Sequence, residues 1–86
     1  MNTKRRIYIL LNANELLDQA LKETEKLIIG EIFLVKDLFK GYEWKRLPVS
    51  ERLLLGTLFL NFVNSNEIAV QPIAKTSSNQ QRYKKL

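Results

Sequence analysis

From Asn12 onward, apolar residues recur at helical spacing. Leu16, Leu17, Ala20, Leu21, Thr24, Leu27 and Ile28 share one face, with Glu15, Asp18, Lys22, Glu25 and Lys26 opposite. The spacing predicts an amphipathic helix with an acidic outer surface. Asn12 with Glu15 three residues on has the form of a capping box at its start, and Gly30 is the expected stop. Ahead of it, "RIYILLN" is short and β-rich, which predicts a strand or an N-terminal arm over residues 1–11. "EIFLVKDLF" opens as a strand and closes as a short helix, with Leu34, Leu38 and Phe39 facing inward. Gly41 then breaks the chain into a loop that holds Trp44.

A second long helix is expected from about Pro48 to Val63. Pro48 suits a first helical turn, where its missing N–H costs nothing, and Ser50 with Glu51 can cap the same end. Leu54, Leu55, Leu58, Phe59 and Phe62 make a wide buried face, extended by Leu53 and Leu60, and Thr57, Asn61 and Asn64 form a narrow polar strip. Gly56 within this helix costs ~1 kcal/mol relative to alanine, which points to close approach of another backbone. After the loop "NSNE", the runs "IAVQPIAKT" and "QRYKKL" read as two strands joined by the polar turn "SSNQ", with Pro72 confining its strand to an edge or a bulge. The expected fold is α+β. One domain spans residues 1–86, with a helical part over 12–64 and a β-hairpin over 67–86, in the element order of a small winged helix-turn-helix.

Composition narrows the chemistry sharply. The chain has 86 residues with no cysteine and no histidine, which removes disulfides, thiolate nucleophiles, imidazole acid/base catalysis and the usual zinc ligands. No pair of carboxylates stands in an apolar setting that would raise a pKa for general acid work. An enzyme is not expected, and neither is a metal or a cofactor. Lys4, Arg5 and Arg6 precede an apolar run that ends at "NANE", too short for a secretory core, and no segment approaches a membrane span. The expected location is the cytoplasm, without membrane partners.

The net charge of +5 is the sum of unlike regions. Residues 1–6 carry +3, residues 14–31 carry −3, residues 40–52 carry +2, Glu67 carries −1, and residues 68–86 carry +4 with no acid. An acidic end and a basic end form the electrostatic footprint expected for a polyanion, although a solvated basic face has the same composition. The second long helix carries Arg52 near its start and then asparagine, threonine and hydrocarbon, a poor set for reading base edges in a major groove. The cations lie instead at Lys45 and Arg46, at Arg52, and along the hairpin at Lys75, Arg82, Lys84 and Lys85. Trp44 and Tyr83 among such charges suit single strands, whose bases stack on aromatic rings while cations follow the backbone. Asn79, Gln80 and Gln81 add amide donors and acceptors. Each residue also has a plainer role: Trp44 in packing, Tyr83 over the core, Lys84 and Lys85 in a solvated tail.

The stretch "FLVKDLFKGYEWKRLPVSERLLLGTLF", together with "KTSSNQQRYKK", resembles the bacterial Domain of Unknown Function 1413 family over about residues 31–86. The shared pattern is Phe-x-Val-Lys-Asp-Leu-Phe, a tryptophan soon after, Leu-Pro, an arginine, Leu-Gly on a helix, and a hairpin with asparagine and tyrosine. It falls here on Phe33, Lys36, Asp37, Leu38, Phe39, Trp44, Leu47, Pro48, Arg52, Leu55, Gly56, Asn79 and Tyr83. The resemblance implies a winged-helix protein of a mobile cassette chromosome element that binds single-stranded DNA. It places Lys36, Trp44, Arg52, Asn79 and Tyr83 at the binding cleft, with Phe33, Leu38, Phe39, Leu55 and Gly56 serving the fold.

The expected function is therefore largely sequence-independent binding of single-stranded DNA in the replication of a mobile element. The expected site comprises Lys36, Trp44, Lys45, Arg46, Arg52, Lys75, Asn79, Gln81, Arg82, Tyr83 and Lys84. An element-encoded helicase or other replication protein is a candidate partner, and the chain is expected to be a monomer or a weak homo-oligomer. The alternatives are a winged-helix transcription regulator reading duplex DNA, and an interaction module that recruits a helicase or polymerase.

Overall fold

The computed structural model describes residues 12–86, so the strand or arm expected over residues 1–11 lies outside the described residues. The first helix, α1 (Ala13–Thr24), starts where Asn12 accepts a hydrogen bond from the Glu15 backbone N–H at 3.0 Å. Leu16, Ala20 and Thr24 recur every fourth residue and are buried. The helix ends at Thr24 and not at Gly30. Past that point the backbone bonds tighten to three-residue spacing, from Glu25 to Lys22, Lys26 to Glu23 and Leu27 to Thr24. The Thr24 hydroxyl also donates to the Leu21 carbonyl at 2.6 Å. Gly30, with φ +95°, instead turns the chain into the sheet, where its N–H donates to the Lys85 carbonyl at 2.7 Å.

Strand β1 (Ile32–Phe33) runs into a 3-10 turn over Val35–Leu38. Asp37 closes that turn by accepting from the Leu34 N–H at 2.9 Å. The segment expected to be a loop is a short helix, α2 (Gly41–Arg46), so Trp44 stands on a helix. Glu43 accepts from the Lys40 N–H at 3.3 Å, three residues back, and that local bond starts the helix. Leu47 ends it, extended as a residue before proline must be.

Helix α3 (Val49–Asn64) follows with Pro48 as its N-cap, one place earlier than a first helical residue, and no side chain caps it. Strands β2 (Val70–Ile73) and β3 (Arg82–Lys85) then complete a three-stranded antiparallel sheet in the order β1-β3-β2. Tyr83 in the central strand faces Phe33 on one side and Pro72 on the other. Pro72 sits on an edge strand, as its missing donor requires. Among the described residues, three α-helices and this sheet make a small α+β fold.

Phe33, Phe59 and Tyr83 form the centre of the core. Tyr83 stacks on Phe33 at 5.7 Å between centroids and meets Phe59 edge to face at 4.9 Å. Leu16 and Ala20 of α1, Leu38 and Phe39 of the 3-10 segment, and Val70 of β2 pack around them. The buried face of α3 is narrower than its sequence predicts. Leu55, Phe59 and Val63 are buried, whereas Leu53 is 68% exposed and Leu54 48%. With one small sheet and one long helix to pack against, the fold covers a single stripe of α3 and leaves hydrocarbon open on its flank. No helix among the described residues is long and apolar enough to cross a membrane.

Candidate functional site

That uncovered flank of α3 forms one wall of a cleft of about 520 Å³. Val49, Leu53, Gly56, Thr57 and Leu60 come from the helix, and Leu34, Val35 and Lys36 from the 3-10 segment facing it. Trp44 of α2 and, from the hairpin, Lys75, Asn79, Gln80 and Gln81 complete the lining. The volume falls in the range of ordinary ligand pockets, ~300–1,000 Å³. Its lining contains three cations, Lys36, Arg52 and Lys75, and no aspartate or glutamate. The potential inside is therefore positive while the walls are largely apolar, a setting that strengthens attraction for an anion carrying flat apolar groups.

Trp44 is half-buried, with its ring tilted against Phe39 at 5.7 Å. The Arg52 guanidinium lies over the same ring at 5.6 Å from the centroid, and its Nη2 donates to the Lys45 carbonyl at 3.3 Å. Packing and display are thus both served by one side chain. Lys36 is exposed and is held at the cleft by the turn that Asp37 closes.

The hairpin tip is built by its own hydrogen bonds. The Thr76 N–H donates to the Gln80 carbonyl, the Asn79 N–H to the Thr76 carbonyl, and the Gln80 N–H to the Thr76 hydroxyl at 3.0 Å. Asn79 sits at φ 68°, a conformation asparagine tolerates better than most residues, and this turn geometry is its first role. The Gln81 side-chain amide donates to the carbonyls of Ile73 at 2.6 Å and Arg82 at 3.0 Å. Both donors are consumed, the bond to Ile73 reaching across to β2 and the other closing on the next residue, so it shapes the cleft wall and does not offer a free N–H to a ligand.

Of the residues singled out from the sequence, the cleft brings together Lys36, Trp44, Arg52, Lys75, Asn79, Gln81 and Tyr83. Tyr83 has a different role from the one expected. It is 1% exposed, with its ring engaged by Phe33 and Phe59, so it supports the cleft floor and has no ring face for a base. Burial also pushes its phenol from 10.0 up to about 12.

Lys45, Arg46, Arg82 and Lys84 do not line the cleft. On α2 each step turns the side chain by roughly 100°, so the residues after Trp44 leave its face, and Arg46 lies over the Tyr42 ring at 5.0 Å instead. On β3 side chains alternate, and Arg82 and Lys84 point away from the side that Tyr83 occupies. Arg82 is further held by its Nε–H bond to the Ala74 carbonyl at 2.7 Å.

Leu34, Val49, Leu53, Gly56, Thr57 and Leu60 were not expected to line a site. The signal was an excess of hydrocarbon on α3 over what so short a chain covers, together with a glycine that no turn demanded. Among the described residues, no group of three or more histidines, cysteines or acids is placed to hold a metal ion.

A protein-family model, Domain of unknown function (DUF1413), matches residues 18–85. No curated protein and no solved structure matches the chain.

Proposed function

The chain belongs to the DUF1413 family, and on that premise we propose that it is a non-enzymatic protein that binds single-stranded DNA in the cleft beside α3. The observation that carries this reading is the lining itself: Trp44, with Lys36, Arg52 and Lys75 around it and no acid. Bases stack on an aromatic ring or a guanidinium plane, and lysine and arginine follow the phosphates, without commitment to sequence. The apolar flank of α3 supports a strand over a duplex. Val49, Leu53 and Leu60 offer no hydrogen bonds to base edges but accept the faces of unstacked bases. The helices and the β2–β3 hairpin are then used as a winged helix whose binding surface is the space between helix and wing. Service in the replication of a mobile element follows from the resemblance in sequence.

The acidic outer face of α1, with Asp18 paired to Lys22 at 3.2 Å and Glu23 to Lys26 at 2.8 Å, faces solvent and repels the same ligand. It orients the protein on a strand and is open to a protein partner.

Charge reversal tests this reading. Lys36→Glu, Arg52→Glu and Lys75→Glu together abolish binding of a labelled oligo-dT, while reversal of Lys45, Arg46, Arg82 and Lys84 leaves most of it. Equal losses from the two sets would move the site elsewhere.

A further inference from the structure

Gly56 stands inside α3, and none of the usual structural reasons for a glycine applies to it. Its φ is not in the left-handed region, which Gly30, Asn66 and Asn79 occupy among the described residues. Apart from its chain neighbours and the backbone of its own helix, no heavy atom lies within 4 Å of the place a Cβ would take, so the close approach of another backbone expected from the sequence is absent. A helix interior loses stability at glycine relative to alanine, and nothing in the packing offsets that loss.

The position opens on the cleft. On a helix the surface neighbours of position 56 are positions 52, 53, 59 and 60. Here Arg52, Leu53 and Leu60 line the cleft, as does the adjacent Thr57, while Phe59 turns into the core. The Thr57 hydroxyl donates to the Leu53 carbonyl at 3.2 Å and is thereby turned back on its own helix. What remains at Gly56 is a patch of bare helix backbone in a mostly hydrocarbon frame, with one guanidinium at its border.

Backbone donors inside a helix are already bonded, so this patch has nothing to give a phosphate or a sugar hydroxyl. A flat ring face, by contrast, gains contact area by lying directly on it, and a side chain there would hold the ring away. We propose that Gly56 marks the seat of one nucleobase of the bound strand, an inference that rests on the nucleic-acid reading of the cleft. The base lies on α3 at Gly56, and Arg52, one turn before it, takes the adjoining phosphate. The glycine is kept for the ligand and at the expense of the helix.

The test compares a labelled oligo-dT with an abasic strand of equal length, by fluorescence anisotropy, on wild type and on Gly56→Leu. Wild type favours oligo-dT by about a hundredfold, the scale of two stacked bases, one on Trp44 and one at Gly56. Gly56→Leu melts no lower than wild type, keeps its affinity for the abasic strand, and retains only about the tenfold preference for oligo-dT that the Trp44 stack supplies. A folded Gly56→Leu with the full preference overturns the seat. Equal wild-type binding of both strands also overturns it while leaving the phosphate contacts in place, and no wild-type binding of either strand overturns the nucleic-acid reading itself. Should the leucine variant fail to fold, Gly56→Ala serves. It melts about 4 °C higher and loses preference by about twofold, and unchanged preference in it counts against the seat.

Discussion

The Arg52 guanidinium lies 5.6 Å from the centre of the Trp44 ring and is tied to the Lys45 carbonyl by a 3.3 Å hydrogen bond. The cation that would meet a phosphate and the ring that would meet a base are therefore set together before any ligand arrives. Helix α2 ends between them, and the extended Leu47–Pro48 link brings the first turn of α3 back over its last turn. Preorganisation of this kind lowers the ordering cost of binding.

Trp44→Ala removes both a packing contact with Phe39 and the stacking ring. Because the side chain is only half-buried, the expected stability loss is about 1–2 kcal/mol, below that of a fully buried tryptophan. Affinity for oligo-dT falls by about tenfold. Trp44→Phe restores most of the stability and part of the affinity. Thermal melts and anisotropy on the same samples separate the two losses.

Tyr83→Ala strikes the core and costs about 3–5 kcal/mol, a large share of a small domain's stability. Tyr83→Phe keeps the ring contacts and binds oligo-dT as wild type does, since the ring is not a stacking surface. The phenol adds a pH dependence. The unfolded chain loses this proton near 10.0 and the folded chain only near about 12. Between those values the unfolded state binds fewer protons, so stability is full below pH 10 and falls as pH rises toward 12. In urea titrations across that window, Tyr83→Phe shows a shallower decline than wild type. Identical slopes would place the phenol outside the buried core.

Three cations in the cleft set the salt dependence. If each neutralises one phosphate of a single strand, the slope of log K against log salt is about −2, and a fourfold rise in salt costs roughly twentyfold in affinity. Neutralising Lys75 makes the slope shallower by about 0.7. Neutralising Lys84, on the opposite side of β3, changes it little.

Asp37 holds the turn that presents Lys36, through its bond to the Leu34 N–H at 2.9 Å. Asp37→Ala is expected to cost about 1 kcal/mol, as the loss of a cap does. It weakens oligo-dT binding only through the position of Lys36. Adding Lys36→Ala to this variant therefore costs less binding than the same change in wild type, a non-additivity that a double-mutant cycle reads directly.

The fold was largely legible in the sequence because its signals are local. The helical spacing after Asn12, the Pro-led start of α3, and two β-rich runs around "SSNQ" each name their element without knowledge of the rest. The misplaced boundaries were decided by short-range hydrogen bonds. Thr24 ends α1 through its bond to Leu21, and Glu43 starts α2 through its bond to Lys40, and neither is visible in hydropathy.

The candidate site was legible by region and not by residue. Lys36, Trp44, Arg52 and Lys75 are at the cleft, but Arg82 and Lys84 share a strand with Tyr83 and face the other way. One residue of register decides that, and the sequence alone did not supply the face. The open flank of α3 escaped notice for a different reason. Leu53 is as apolar as Leu55, and only the three-dimensional limit on what one sheet can cover exposes the first and buries the second.

The most direct test of the central claim follows the emission of Trp44, the chain's single tryptophan, during titration with oligo-dT and with a matched duplex at two salt concentrations. Tighter binding of the single strand, with quenching of Trp44 and a salt slope of about −2, is the expected result. Preference for the duplex, or binding that leaves the emission unaltered, would contradict a stacking role for Trp44 and the assignment of the cleft to single strands.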